Sequence, residues 1–394
     1  MKNFLAITLM AVMAAGCTGG DSEVAGSVRG VSSEAIRLGS HTDLSGQLAA
    51  WGVPTSNGMR QRFDEANEAG GVHGRRIELI VEDSQYQVPV AVKAVNKLIH
   101  VDEVFAIIGG MGTPHNNAVF DTLFEAGVPN LFPTTAAVSM YEPLHPLKFA
   151  YFVSYRDQAR SGVKYFVDEF GVKTVCLQSL ATDYGAEVKI GFEQAAEELG
   201  LDVRYTGQHK VSETDFVGTA TSIKNAGCEL LFMGPFIKDT ILLYSAVRDA
   251  GWDGIVAGNM VPYLPEVAGA ADGKMEGFYA VAPFYTPDFT SLEAGSWVAD
   301  WHSRYVARNN SEPAAQSVIG YVIADVFIRA LEAAGPEPTV ENVLAALESI
   351  SEYKDPFGGP TLSFSPTKHM GGDWLNLYQV KDGKWTTVKE ALPY

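Results

Sequence analysis

Glu65-Ala66-Asn67-Glu68-Ala69-Gly70-Gly71-Val72-His73-Gly74-Arg75-Arg76-Ile77-Glu78-Leu79-Ile80-Val81-Glu82-Asp83 holds one complete change of backbone structure. Its Ala- and Glu-rich start has the composition of a helix, and Gly70-Gly71 supplies residues that tolerate the left-handed conformation in which helices end. Ile77 to Asp83 then forms an apolar, β-branched run of strand length. Outward from this joint the alternation repeats. Strands are predicted over 36–44, 76–83, 104–110 and 128–133, with helices ending at 69, 100 and 126, the last closed by Gly127. A second series places strands at 174–180, 202–211, 229–234 and 255–258 between helices ending at 199, 226 and 250. Such βαβα order predicts an α/β fold, with parallel sheets covered on both faces by helices. Glu197-Glu-Leu-Gly200 loosely echoes the opening joint, which implies two similar lobes.

The chain has 394 residues, more than one ordinary core accommodates. Helices over 292–308, 314–334 and 339–350 are assigned to the first lobe, and a hairpin over 374–380 and 385–388, turning at Asp382-Gly383, to the second. The organisation predicted is therefore two Rossmann-like, doubly wound lobes joined by a multi-crossing hinge: residues 34–152 with 283–355, and residues 153–282 with 356–394.

Lys2 and the apolar run 4–15, too short to span a bilayer, read as a signal peptide over residues 1–17. The run ends in Met13-Ala14-Ala15-Gly16-Cys17, which resembles a bacterial lipobox whose cysteine becomes lipidated, although Ala14 stands where leucine is preferred. Ordinary cleavage and free release is the alternative. Residues 18–33 are small, polar and Gly-rich, the composition of a flexible tether. The protein is thus expected in the periplasm or cell envelope, touching membrane only through a lipid on Cys17. Cys176 and Cys228 fall in neighbouring strands and read either as a disulfide or as two buried thiols.

With 29 basic against 47 acidic residues, a net charge of −18 argues against nucleic acid as a partner. Signatures of catalysis are absent. Gly109-Gly-Met-Gly-Thr113-Pro lacks the third glycine of a dinucleotide fingerprint and the Lys-Ser/Thr of a P-loop; H-E-x-x-H and G-x-S-x-G do not occur. His41 and Asp43 read as a strand-end histidine and a capping aspartate rather than metal ligands. No enzyme activity and no cofactor are expected.

Leu44-Ser-Gly46, Ala49-Ala-Trp-Gly52, Asn67 to Arg75, Ile77 to Asp83, Ala106-Ile-Ile-Gly-Gly110 and Gly127-Val-Pro129 follow one another in an order and spacing that resembles the leucine/isoleucine/valine-binding family of type I periplasmic solute-binding proteins. The resemblance implies a monomeric substrate-binding component of an ABC importer, closing its lobes on a small molecule and delivering it to a permease in the inner membrane. It also implies site positions. Thr113, with Pro114 in the first helical turn, would be an N-cap hydroxyl meeting a ligand carboxylate at a helix start. Thr134, Thr135 and Ala136 form the second contact loop, with alanine where the family has a hydroxyl. Trp51 would stand on a loop as an aromatic wall, and Tyr184, Phe236, Tyr155 and Tyr263 would close over the ligand.

One departure bears on the ligand. Ala257-Gly-Asn-Met-Val-Pro-Tyr263 contains no acid, where amino-acid binders of the family neutralise the ligand ammonium. A buried, unpaired ammonium costs several kcal/mol. Either Asp43, Asp157 or Asp183 substitutes, or the ligand has no α-amino group. A small carboxylate with an apolar or aromatic body is expected, with a branched-chain or other amino acid as the alternative. A sensory module feeding a membrane receptor is the alternative to transport.

Overall fold

A computed structural model describes residues 28–270 and 273–394. The expected signal peptide, Cys17 and the expected tether up to residue 27 lie outside the described residues. Residues 28–33, expected within that tether, lie against the body: the Arg29 guanidinium donates to the Ile99 carbonyl at 2.6 Å, and Arg37 N–H donates to the Gly30 carbonyl at 2.8 Å.

The first lobe is built on β1 (Ala35–Thr42), α1 (Ala49–Glu68), β2 (Arg76–Asp83), α2 (Val88–His100), β3 (Ala106–Ile108), α3 (Thr113–Glu125), β4 (Asn130–Leu131) and β5 (Lys148–Phe149). Its five strands are all parallel, in the order β2-β1-β3-β4-β5. Ala106, Ile107 and Ile108 are buried throughout, because a central parallel strand is covered on both faces.

The second lobe follows: α4 (Tyr155–Phe170), β6 (Thr174–Leu180), α5 (Asp183–Glu198), β7 (Asp202–His209), α6 (Val217–Ala226), β8 (Leu230–Gly234), α7 (Ile237–Asp249), β9 (Ile255–Gly258), α8 (Pro265–Ala268) and β10 (Tyr279–Ala282). Next come α9 (Trp297–Asn309), α10 (Ala315–Ala334) and α11 (Val340–Glu348), and finally β11 (Leu375–Lys381) and β12 (Lys384–Leu392). The second sheet runs β12-β11-β10-β9-β8-β6-β7. Strands β6 to β10 are parallel, whereas the terminal hairpin adds β11 and β12 antiparallel at one edge, so this sheet is mixed. Cys176 and Cys228, at the starts of β6 and β8, are joined as a disulfide with Cα atoms 5.9 Å apart.

Helix α10 lies along α1 and is buried on nearly every face, which its apolar sequence permits. The two backbones touch: a methyl on Gly58 would strike the Ser317 carbonyl, and one on Gly320 would strike the Thr55 carbonyl. Glycine is required at both positions for this approach. The chain passes between the two sets of layers after β5, after β10 and after α11. Two of these passages run side by side, with Gly371 N–H donating to Ala150 O at 2.9 Å and Gly372 N–H to Tyr151 O at 3.1 Å.

Four elements were not anticipated: β5, α4, the four-residue helix α8 and β10. Strands β5 and β10 span two and four residues, too few to show a period. Helix α4 did carry signals, since Ser154 accepts from Asp157 N–H as its N-cap and Gly171 ends it in the left-handed region at φ 69°.

Candidate functional site

A narrow cavity of about 20 Å³, nearly filled by its own walls, lies between the lobes. Its walls come from the carboxyl ends of parallel strands, where the crossovers turn into helices and leave backbone groups free. Leu48 and Trp51 follow β1, Tyr86 follows β2, Met111, Gly112 and Thr113 follow β3, and Thr134 and Thr135 follow β4. Tyr155 follows β5, at the passage into the second lobe, while Tyr184, Phe236, Met260 and Val261 come from the ends of β6, β8 and β9.

Seven of the nine residues singled out from sequence therefore meet here: Trp51, Thr113, Thr134, Thr135, Tyr155, Tyr184 and Phe236. Trp51 sits in the first turn of α1 rather than on a loop. Its indole is 3% exposed, and Nε1 donates to the Val261 carbonyl of the opposite lobe at 3.0 Å. Thr113 is the first residue of α3, and the N-cap is Gly112. Gly112 has φ 92°, and a Cβ there would strike His115 Nδ1 while crowding the Tyr86 ring, so only glycine allows the turn. The Thr113 and Thr135 hydroxyls are 2.7 Å apart, bridging the start of α3 to the loop after β4.

Ala136 and Tyr263 stand outside the cavity lining. Ala136 is buried behind it, its carbonyl accepting from Tyr155 N–H at 2.8 Å. The turn at Pro262 carries Tyr263 towards the terminal hairpin, where its ring stacks on Trp385 at 4.9 Å and meets Tyr378 at 4.5 Å. Leu48, Tyr86, Met111, Gly112, Met260 and Val261 were not foreseen. The signal for Leu48 and Met111 was their neighbourhood to flagged residues at strand ends, but Tyr86 is delivered by a turn with φ 51° at both Gln85 and Tyr86, which no local residue preference announces.

Aromatic rings from both lobes close the chamber. Tyr184 stacks on Phe236 at 5.5 Å, Tyr155 meets Tyr184 edge-on at 4.9 Å, and Tyr86 meets Phe236 edge-on at 5.3 Å. Burial pushes the Tyr155 phenol up to about 12, with the Thr135 hydroxyl and Ala136 N–H pulling it partway back, so all these phenols are neutral donors at physiological pH. The Tyr184 hydroxyl donates to Asn259 Oδ1 at 3.0 Å, and Val261 N–H donates to the same oxygen at 3.0 Å.

None of the lining side chains is ionised. The three acids that could have answered an ammonium are engaged elsewhere. Asp43 is fully buried as a loop cap, accepting from the N–H groups of Ser45 at 3.2 Å and Leu48 at 2.8 Å. Asp157 holds Ser154 Oγ at 2.6 Å and Arg160 at 3.2 Å, and Asp183 accepts from Asn117 Nδ2 at 3.0 Å at the exposed rim. Behind the wall, burial lowers the imidazoles of His41, to about 3, and of His115, so neither adds a cation. Among the described residues no group of three or more His, Cys, Asp or Glu could hold a metal ion. What remains is an uncharged chamber offering hydroxyl donors and the N-terminus of α3, a set suited to an anionic oxygen and to apolar contact.

Residues 35–384 match the family described as "Periplasmic binding protein". The "Leucine-, isoleucine-, valine-, threonine-, and alanine-binding protein" of Pseudomonas aeruginosa is 21% identical over 360 residues, covering 91% of this chain and 94% of that protein. The "Leu/Ile/Val-binding protein homolog 2" of Brucella abortus is 26% identical over 353 residues, covering 85% and 90%. Among solved structures, a branched-chain amino acid ABC transporter protein from Thermus thermophilus with bound valine superposes with a TM-score of 0.82 at 18% identity, covering 92% of this chain and 97% of that one. A fatty acid ABC transporter substrate-binding protein from Thermomonospora curvata does so with a TM-score of 0.81 at 22% identity, covering 93% and 94%. Because the match takes in both sheets and all three passages between them, this chain belongs to the periplasmic binding protein family, a family of solute-binding proteins of the leucine/isoleucine/valine-binding type.

Proposed function

We propose that this protein captures a small carboxylate-bearing organic molecule without an α-amino group and presents it, lobes closed, to the permease of an ABC importer in the inner membrane. The uncharged lining carries this reading: every wall residue is apolar, aromatic or hydroxylic, and the donors converge where α3 begins. A carboxylate at Thr113 and Thr135 gains hydroxyl donation and the helix dipole, whereas an ammonium there would find no carboxylate. The lobes correspond to residues 34–152 with 283–355 and 153–282 with 356–394, acting as a monomer. Cleavage between Gly16 and Cys17, with lipidation of Cys17, would tether it in the periplasm, which Cys17→Ala and labelling with a fatty-acid analogue would test.

Calorimetric titration against short aliphatic and aromatic monocarboxylates, α-amino acids and neutral sugars tests the capture. The expected result is binding of one or more monocarboxylates lacking an amino group, with a raised melting temperature and no turnover. Binding of α-amino acids alone would overturn it. Thr113→Ala is expected to weaken the bound acid by roughly ten- to a hundredfold, the scale of a lost hydrogen bond to a charged group.

A further inference from the structure

We infer that the site does not end at the inner cavity: the geometry points to a second, apolar chamber beyond the Tyr86–Phe236 ring pair that takes the tail of the same carboxylate ligand. This inference rests on the anchoring of the carboxylate proposed above. The second chamber has a volume of about 270 Å³, opens to the surface past Gln47 and Val211, and is lined, like the first, from both lobes. Val88, Pro114 and His115 come from the first lobe, Val211 from the second, and Tyr86 and Phe236 are walls of both chambers.

Three features make the two spaces one path. Tyr86 and Phe236 line both chambers and their rings meet edge-on at 5.3 Å, so they form a shared wall that an entering tail would part. Consecutive residues divide between them: Leu48 lines the inner chamber and Gln47 the outer, and Thr113 the inner and Pro114 with His115 the outer. A molecule anchored at Thr113 therefore has the outer chamber within one helical turn of its head group. The Tyr86 ring is held there by unusual backbone, with φ 51° at two successive non-glycine residues, Gln85 and Tyr86. Such positions persist where the surroundings over-determine them, often at ligand clamps.

The lining also selects the class of tail. Its side chains are apolar or aromatic apart from Gln47, Thr182 and the His115 imidazole, whose ring lies 4.4 Å from that of Tyr86. A charged or heavily hydroxylated extension would find few hydrogen-bonding partners there, whereas a methylene chain or an aryl-alkyl group gains apolar contact. The ligand is thus a monocarboxylate whose apolar tail reaches past the ring pair, pinched between Tyr86 and Phe236 when the lobes close.

Straight-chain monocarboxylates of increasing length, titrated calorimetrically into the full mature protein, test this. Affinity is expected to rise with length, by about fourfold per added methylene once the tail enters the outer chamber. Val211→Trp, at a residue 40% exposed and outside the inner lining, is expected to fill the outer chamber and weaken long acids at least tenfold while leaving short acids within twofold. Affinity that stays flat or falls with length, equal weakening of short and long acids by Val211→Trp, or a stoichiometry of two would each overturn the continuous site while leaving the anchor standing. Failure of every acid, short or long, would instead overturn the anchor and the extension together.

Discussion

Asp355 shows how far burial alone can move a side chain in this protein. It is 8% exposed, in the passage from α11 to β11, and desolvation with the nearby Asp325 charge pushes its carboxyl up to about 7. The folded pKa is raised above the unfolded value, so the native state holds a proton that the unfolded chain has released. Stability from this group is therefore complete at pH 4 and below, and is lost as pH rises through 7. Asp355→Asn keeps an acceptor for Phe357 N–H, 2.8 Å away, and removes the charge. It is expected to raise unfolding stability at pH 8 by roughly 2 to 4 kcal/mol and to change little at pH 4, as measured by urea denaturation at both pH values. Gly112 makes the opposite case, a residue whose identity is fixed by space. Gly112→Ala must adopt φ 92° and displace His115, at an expected cost of about 1–3 kcal/mol, with a matching loss of ligand affinity in calorimetry because Thr113 moves with it. At this scale the sequence was informative where chemistry is local. Thr113-Pro114 at a helix start and threonines after a strand are readable without coordinates, whereas Tyr86 becomes a wall only through a turn whose dihedrals its own sequence disfavours.

Between elements, the contact that organises the first lobe is the one between α1 and α10, where Gly58 and Gly320 let two backbones meet. Any side chain there must separate the helices or bend them. Gly320→Val is expected to lower stability by roughly 2 kcal/mol or more, by overpacking and by strain, read as a lowered urea midpoint. The disulfide from β6 to β8 closes a loop with a sequence separation of 52 residues. Its replacement by Cys176→Ser with Cys228→Ser is expected to cost about 2–4 kcal/mol, measured the same way under non-reducing conditions. The alternation of strand and helix was plain from composition because parallel strands buried on both faces read as continuous apolar runs. The antiparallel edge was only half legible: Asp382-Gly383 announced a hairpin, but β10, the strand it pairs with, is four residues long and offers no pattern of its own.

Closure of the whole molecule is held by few polar links. Besides Trp51 to Val261, Asn117 Nδ2 on α3 donates to Asp183 on α5 at 3.0 Å, and Val138 N–H donates to Glu187 Oε2 at 3.2 Å, a carboxylate already gripped by Arg156. The exposed Asn117–Asp183 link is individually weak, which suits a receptor that must reopen: a closed state favoured by only a few kcal/mol can be selected by ligand and released again. Asp183 touches neither chamber, so its removal isolates closure from direct recognition of the ligand. Asp183→Ala is expected to shift the equilibrium towards the open form, raising the ligand dissociation rate a few-fold while the association rate stays within about twofold, because the open lobes are what the ligand first meets. Stopped-flow measurement of both rates, with small-angle scattering of the ligand-free protein, distinguishes this from a damaged site, since deleting a group that itself touches the ligand would also speed dissociation but would not enlarge the particle. Long-range repulsion from the net charge of −18 contributes little to either rate at physiological salt, where screening acts over about 8 Å, so an anionic ligand is governed by the local donors at α3 and the dissociation rate reports the hinge.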